Sequence, residues 1–256
     1  MGRSTERFVD ILNCFSHARS NASLSEIAVM TKLDKSTVHR LLHDFEHHRL
    51  VRRDPVSKRY TLGSRLIEWG ALAAESLSLG QEAEAALRQL RDATGETICL
   101  TVRDGDRRVC SIVFPSSKQV RRVIPVGQSL SLTQGAGGPL TLAFLPPVEA
   151  EAIISADDEL PEERKRWVRK QLPQLRERGF GLSIHLRMDK GWSLATPIFD
   201  HTGMPVATIL LAAPQARLSD EIVERYTTLM LVAAKHISMR LGAPSWPIGS
   251  EIAAAD

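Results

Sequence analysis

The chain has 256 residues, 43% of them hydrophobic and 25% charged, with a formal net charge of +3. That length holds two small domains or one large one, and that balance is that of an ordinary globular protein, with no internal repeat or low-complexity segment. No apolar run approaches the ~18 residues of a membrane span. The start, Met1-Gly2-Arg3-Ser4, lacks the apolar core of an export signal, and Cys14, Cys99 and Cys110 have no metal spacing, so reduced thiols and a cytoplasmic location are expected.

Residues 7–16 set Phe8, Ile11, Leu12 and Phe15 at helical spacing and predict a first helix. Ser23-Leu24-Ser25-Glu26 reads as a capping box, opening a short helix with Leu24, Ile27 and Ala28 on one face. The chain then turns through Lys32-Leu33-Asp34, and Asp34 suits the positive end of a second helix. Val38, Leu41, Leu42 and Phe45 give that helix a buried face. Its other face offers Lys35, Ser36, Thr37, His39, Arg40 and His43. Short hydrogen-bonding groups and cations at a helix start are what a helix-turn-helix places in the major groove. Residues 50–53 and 59–62 read as two strands around the turn Asp54-Pro55-Val56-Ser57-Lys58, a wing. Between Lys35 and Arg65 the cations are Lys35, Arg40, Arg49, Arg52, Arg53, Lys58, Arg59 and Arg65, against Asp44, Glu46 and Asp54. That local excess, hidden in the whole-chain charge, is what phosphate contact requires.

Residues 64–79 predict a helix apolar on more than one side, through Leu66, Ile67, Trp69, Leu72, Ala73 and Leu77. Such a helix needs a second surface. Its own domain is one candidate. The other is its twin, which would make it a linker helix and set two reading helices on a pseudo-palindromic site. Residues 81–94 continue as an amphipathic helix. Residues 97–103 and 107–114 are strand-like around Asp104-Gly105-Asp106, a hairpin signal, and 119–126 reads as a third strand. Residues 132–144 form a glycine-rich lead into a helix, whose open N–H groups suit a carboxylate or other anion. Close packing alone also explains such glycines. The stretch lacks the Lys-Ser/Thr ending of a phosphate loop, so nucleotide binding is rejected. Residues 147–155 and 162–177 look helical, 179–184, 192–199 and 205–213 strand-like, and 219–241 a long closing helix. The predicted class is α+β.

His39, His43 and His47 share the i, i+4, i+8 spacing of a zinc chelate, yet no cysteine or carboxylate completes a set, so neither metal nor cofactor is expected. His185, His201 and His236 are isolated. With no Gly-x-Ser-x-Gly elbow and no dinucleotide fingerprint, no catalytic residue is assigned and an enzyme is not expected.

Leu24-Ser25-Glu26-Ile27-Ala28, Lys35-Ser36-Thr37-Val38-His39-Arg40-Leu41-Leu42 and Arg59-Tyr60-Thr61-Leu62-Gly63 resemble the N-terminal domain of the isocitrate-lyase-regulator (IclR) family of bacterial transcription regulators. Leu132-Thr133-Gln134-Gly135-Ala136, Arg178-Gly179-Phe180, Ala195-Thr196-Pro197-Ile198-Phe199-Asp200 and Pro214-Gln215-Ala216-Arg217-Leu218 resemble its effector-binding domain, similar to GAF and PAS sensor folds. The resemblance implies a winged helix-turn-helix over 1–63, a linker helix over 64–80, an effector-binding domain over 81–245 and a tail over 246–256. It implies a homodimer, or a dimer of dimers, on double-stranded DNA upstream of a catabolic operon. Ser25, Lys35, Ser36, Thr37, His39, Arg40 and His43 would read or position; Arg52, Arg53, Lys58 and Arg59 would hold phosphates. A small organic acid would sit at Leu132, Gly135, Ala136, Gly137, Ser183, Trp192, Ser193, Leu210 and Ala212, although Trp192 also suits a core. Two departures bear on the ligand. Ser183-Ile184-His185-Leu186 stands where acidic residues are common, and Leu210 and Ala212 stand where members that take small polar acids carry serines. Loss of polar partners favours an apolar or aromatic acid. A constitutive repressor with a degenerate pocket is one alternative; a binding protein or enzyme with a vestigial winged helix is another.

Overall fold

The computed structural model describes residues 3–16, 19–75, 78–185 and 191–248. Leu186 and the expected tail from 249 onward lie outside the described residues. The chain divides into two compact units, Met1–Leu77 and Ser78–Asp256.

The first unit runs α1 (Arg3–Leu12), α2 (Leu24–Thr31), α3 (Lys35–His47), β1 (Val51–Arg53), β2 (Tyr60–Leu62) and α4 (Ser64–Glu75). Ile11, Phe15, Ile27, Val38, Leu42, Phe45 and Tyr60 close its core, with the Phe8 ring 4.3 Å from that of Phe45. The strands pair antiparallel, Val51 opposite Leu62. Gly63 lets the chain leave the wing against the end of α3: a Cβ there would stand 2.1 Å from the Arg49 carbonyl oxygen, a distance no side chain tolerates.

The second unit runs α5 (Ser78–Thr94), β3 (Thr97–Asp104), β4 (Arg107–Phe114), β5 (Ser129–Ser131), α6 (Gly137–Phe144), α7 (Pro147–Ala156), α8 (Glu162–Arg178), β6 (Gly181–His185), β7 (Gly191–Phe199), β8 (Pro205–Pro214), a 3-10 turn (Gln215–Arg217) and α9 (Asp220–Arg240). The strands form one sheet in the order β5-β4-β3-β8-β7-β6, every neighbouring pair antiparallel. Strand alternation divides the residues between two faces. Ile98, Leu100, Trp192, Leu194, Ile209 and Leu211 pack with α5 and α9 residues such as Leu87 and Met230. Cys99, Cys110, Ala195 and Leu210 pack with Leu140 of α6 and Leu175 of α8.

The helix expected over 64–79 is present as α4 up to Glu75 and as the start of α5 from Ser78, with 76–77 outside the described residues. One element differs from the sequence reading. The strand expected over 119–126 is absent, and the third strand is the short β5, with Ser131 opposite Arg107. Pro125 has no N–H to give a ladder, and Val120, Val123 and Val126 stay exposed. The segment instead runs as a strap whose Arg122 carbonyl accepts the Thr97 hydroxyl at 2.6 Å. Its start is tied by Glu96, a buried carboxylate that accepts from Arg217 at 2.6 and 2.7 Å and from Lys118 at 2.7 Å.

Candidate DNA-reading surface and ligand site

The start of each helix in the helix-turn-helix is built by its own cap. Ser23 accepts the Glu26 N–H at 3.3 Å, and Glu26 accepts the Ser23 N–H at 2.6 Å, so the predicted box is formed. The Ser23 N–H, then Arg59, hold the Glu26 carboxyl down to about 2. Asp34 caps α3: it accepts the Ser36 hydroxyl at 2.5 Å, and the Thr37 N–H and hydroxyl at 2.8 Å each. These bonds, the Ser36 hydroxyl first, hold Asp34 well below the usual carboxylate range. Val38, Leu42 and Phe45 are buried beneath α3, while Lys35, Ser36, His39, Arg40 and His43 are exposed, as is Ser25 on α2; Thr37 is half-buried.

The wing is tightened by Asp54, which accepts the N–H groups of Val56 and Ser57. Arg52, Arg53 and Lys58 are exposed, Lys58 with φ +58°. Arg59 differs from the other expected phosphate holders. Its guanidinium donates to Glu26 at 2.6 Å and to Asn21 at 2.5 Å, so it braces the wing on α2.

In the second unit, Leu132 and Ala136 are buried, and Gly135 takes φ +69° to turn the chain into α6. Ser131 and Thr133 hydroxyls both donate to Asp157, fixing the approach. Gly137 lies against the sheet: a Cβ there would be 3.0 Å from the Thr208 hydroxyl and 3.7 Å from the Ala195 methyl. Opposite strand positions put Ser183 beside Ser193, Ser193 beside Ala212, and Leu210 beside both Cys99 and Ala195. Leu210 and Ala195 share the α6 side of the sheet with Ala136. Trp192 does not. Successive strand residues point to opposite faces, and Trp192 lies fully buried among α5 and α9 residues, its ring stacked on Tyr226 at 6.4 Å. It belongs to the opposite core.

Three residues on the α6 side were not anticipated. Thr101 and Thr208 face each other with hydroxyls 2.6 Å apart, so β8 does carry a hydroxyl on this side, two positions before Leu210. Arg108 is 6% exposed, its Nη2 2.8 Å from where a Gly135 Cβ would be. Burial pushes its pKa down. The signal for Arg108 was present: it alternates with Cys110 on β4, and a cysteine there marks the inward face.

Residues 4–55 match the family model described as the IclR helix-turn-helix domain, and residues 71–239 match that of the bacterial transcriptional regulator IclR C-terminal. The chain belongs to the IclR family. Among curated IclR-family relatives, the regulator KdgR of Escherichia coli K12 is 27% identical over 230 residues, covering 88% of this chain and 87% of its own. The transcriptional repressor IclR of the same strain is 24% identical over 247 residues, covering 94% and 90%. Two solved structures agree in fold. An IclR regulator from Alicyclobacillus acidocaldarius superposes with a TM-score of 0.82 at 25% identity, covering 94% of this chain and all (100%) of the other. An IclR homologue from Microbacterium hydrocarbonoxydans, solved in complex with 4-hydroxybenzoate, gives 0.78 at 21% identity, covering 93% and 98%. IclR membership agrees with the expected class, a winged helix-turn-helix followed by an α+β domain. Among the described residues no helix is long and apolar enough to cross a membrane.

Proposed function

We propose that the protein is a sequence-specific, ligand-responsive regulator that binds an operator of a catabolic operon as a homodimer or dimer of dimers in the cytoplasm. The observation that carries this reading is the division of α3, with Val38, Leu42 and Phe45 buried and Lys35, His39 and Arg40 exposed at its start. Two-fold symmetry would present two such helices to half-sites one helical turn apart. The surface for pairing is α4, where Ile67, Trp69 and Leu72 are 75%, 50% and 62% exposed. Exposure on that scale on one short helix calls for a partner.

The effector in this reading is an organic acid with an apolar or aromatic body. Leu210, Ala212 and Ala195 offer it a nonpolar wall, and the Microbacterium homologue takes a hydroxylated aromatic acid. By linkage, an acid that prefers one dimer geometry changes operator affinity, and the operator changes acid affinity by the same factor. A constitutive repressor with a degenerate pocket is the second reading, favoured by the near-complete burial of Ser193, Leu210 and Ala212.

Gel-shift titration on the DNA flanking the gene, repeated across salt concentrations, tests the first part: tight, salt-dependent binding is expected, and salt-insensitive weak binding would remove it. Calorimetry with aromatic, aliphatic and 2-oxo acids tests the second. Glyoxylate or pyruvate binding more tightly than every aromatic acid would remove the apolar effector; operator binding indifferent to every acid would favour the constitutive repressor.

A further inference from the structure

We propose that Arg108 is the anion anchor of the ligand site, where its guanidinium and the uncapped N–H groups of α6 together receive the one carboxylate of an otherwise uncharged acid. The inference rests on the effector reading above and specifies what the site recognises.

The buried charges of this unit set the comparison. Among the aspartates, glutamates, lysines and arginines of the described residues, three side chains are buried: Glu96, Arg108 and Lys165. Glu96 receives Arg217 and Lys118. Lys165 donates to the Ser155 carbonyl at 2.9 Å and pairs with Glu162 at 3.2 Å. Arg108 has no such arrangement. Its Nε is buried with no hydrogen-bond partner, and the groups that act on it electrostatically are the thiols of Cys99 and Cys110, neither a carboxylate. A guanidinium is never neutral under ordinary conditions, and a buried charge without a counter-ion is strongly unfavourable. A fold that pairs its other buried charges but leaves this one open is holding a place for an anion.

The glycines let Arg108 reach the start of α6. Gly135 and Gly137 lack the side chains that would hold it away: a Cβ on Gly135 would be 2.8 Å from Nη2, and one on Gly137 3.8 Å from Cδ. They lead into α6, an eight-residue helix whose N-cap, Ala136, supplies no side-chain hydrogen bond. The first N–H groups of a helix point outward and attract negative charge. A buried cation and an open helix start thus converge on one spot from two elements. The rest of the wall is Ala195, Leu210 and Leu140 with the Thr101 and Thr208 hydroxyls. It has room in its chemistry for one negative charge and an uncharged body, and none for a second carboxylate.

The test is calorimetry and thermal denaturation of the full chain with benzoate, 4-hydroxybenzoate, benzamide and phthalate, on the parent and on Arg108→Gln and Arg108→Lys. The parent should bind the two monoacids and reject benzamide and phthalate. Arg108→Gln should bind the monoacids about 10- to 100-fold more weakly, and without ligand it should melt at the same temperature as the parent or higher, because a desolvated charge has been removed. Arg108→Lys should keep part of the affinity. A parent that binds benzamide as tightly as benzoate overturns the anchor, whether or not the glutamine variant folds. So does Arg108→Gln binding benzoate like the parent, an outcome that leaves the effector reading standing. A parent that binds none of the four, nor any aliphatic monoacid of the panel above, overturns the effector reading and the anchor with it.

Discussion

At the start of α3, neighbouring side chains divide by what already holds them. The Ser36 and Thr37 hydroxyls donate to Asp34, so they brace the helix start, and on the proposed function base contact would fall to Lys35, His39 and Arg40. For a direct base contact, Arg40→Ala should cost about 1–3 kcal/mol of operator affinity and relax specificity at that base pair; gel shifts on single-base operator variants measure both. The caps also set an acid limit. Glu26 is held at about 2 and Asp34 is depressed further. A depressed folded-state pKa contributes stability above the unfolded value of about 4, and that contribution is lost as pH falls through the folded value. Circular dichroism should therefore show helix loss in the first unit between about pH 4 and 2, with a shallower pH slope in Glu26→Gln. In the second unit the buried acceptor is Glu96, held by two cations. Glu96→Gln leaves Arg217 and Lys118 without their carboxylate, and should cost about 2–3 kcal/mol in urea denaturation, the partial exposure of both cations limiting the loss.

Among the elements, the wing and α4 give the separable tests. Lys58 holds a left-handed backbone that glycine adopts freely and alanine does not. Lys58→Gly should thus keep or raise stability while weakening binding to all DNA sequences alike and flattening the salt slope by about one unit; filter binding across salt reads the slope and thermal melting the stability. On α4, Ile67→Glu with Leu72→Glu should leave the first-unit core intact and lower the sedimenting mass if this helix pairs with its twin. Elements also mark how far the sequence could be read. The Ser23 capping box, the α3 stripe and the hairpin at Asp104-Gly105-Asp106 are local signals, and each appears in the structure. The strap at 119–126 has a strand-like sequence, while the sheet edge that would receive it is set by distant residues. Trp192 and Ser193 could have been separated without coordinates: adjacent strand residues cannot line one face. Arg108 is not legible from its own residue type, because a charged residue on a strand is usually solvated and its burial is decided by what α6 and the sheet bring over it.

For the molecule as a whole, the two units complete their cores over different spans of chain. The first closes between Ile11 and Tyr60. The second has β3 and β8 side by side at the middle of its sheet, Thr97 opposite Ala212, so its central ladder joins segments from both ends of that unit. During synthesis a chain folds from its N-terminus as it emerges, and long-range strand pairing comes late. The winged unit will be finished and cationic while β8 is still inside the ribosome. If the proposed function holds, a prematurely terminated chain would carry the DNA-reading unit with no sensor attached to release it, so such fragments would need prompt degradation for faithful control.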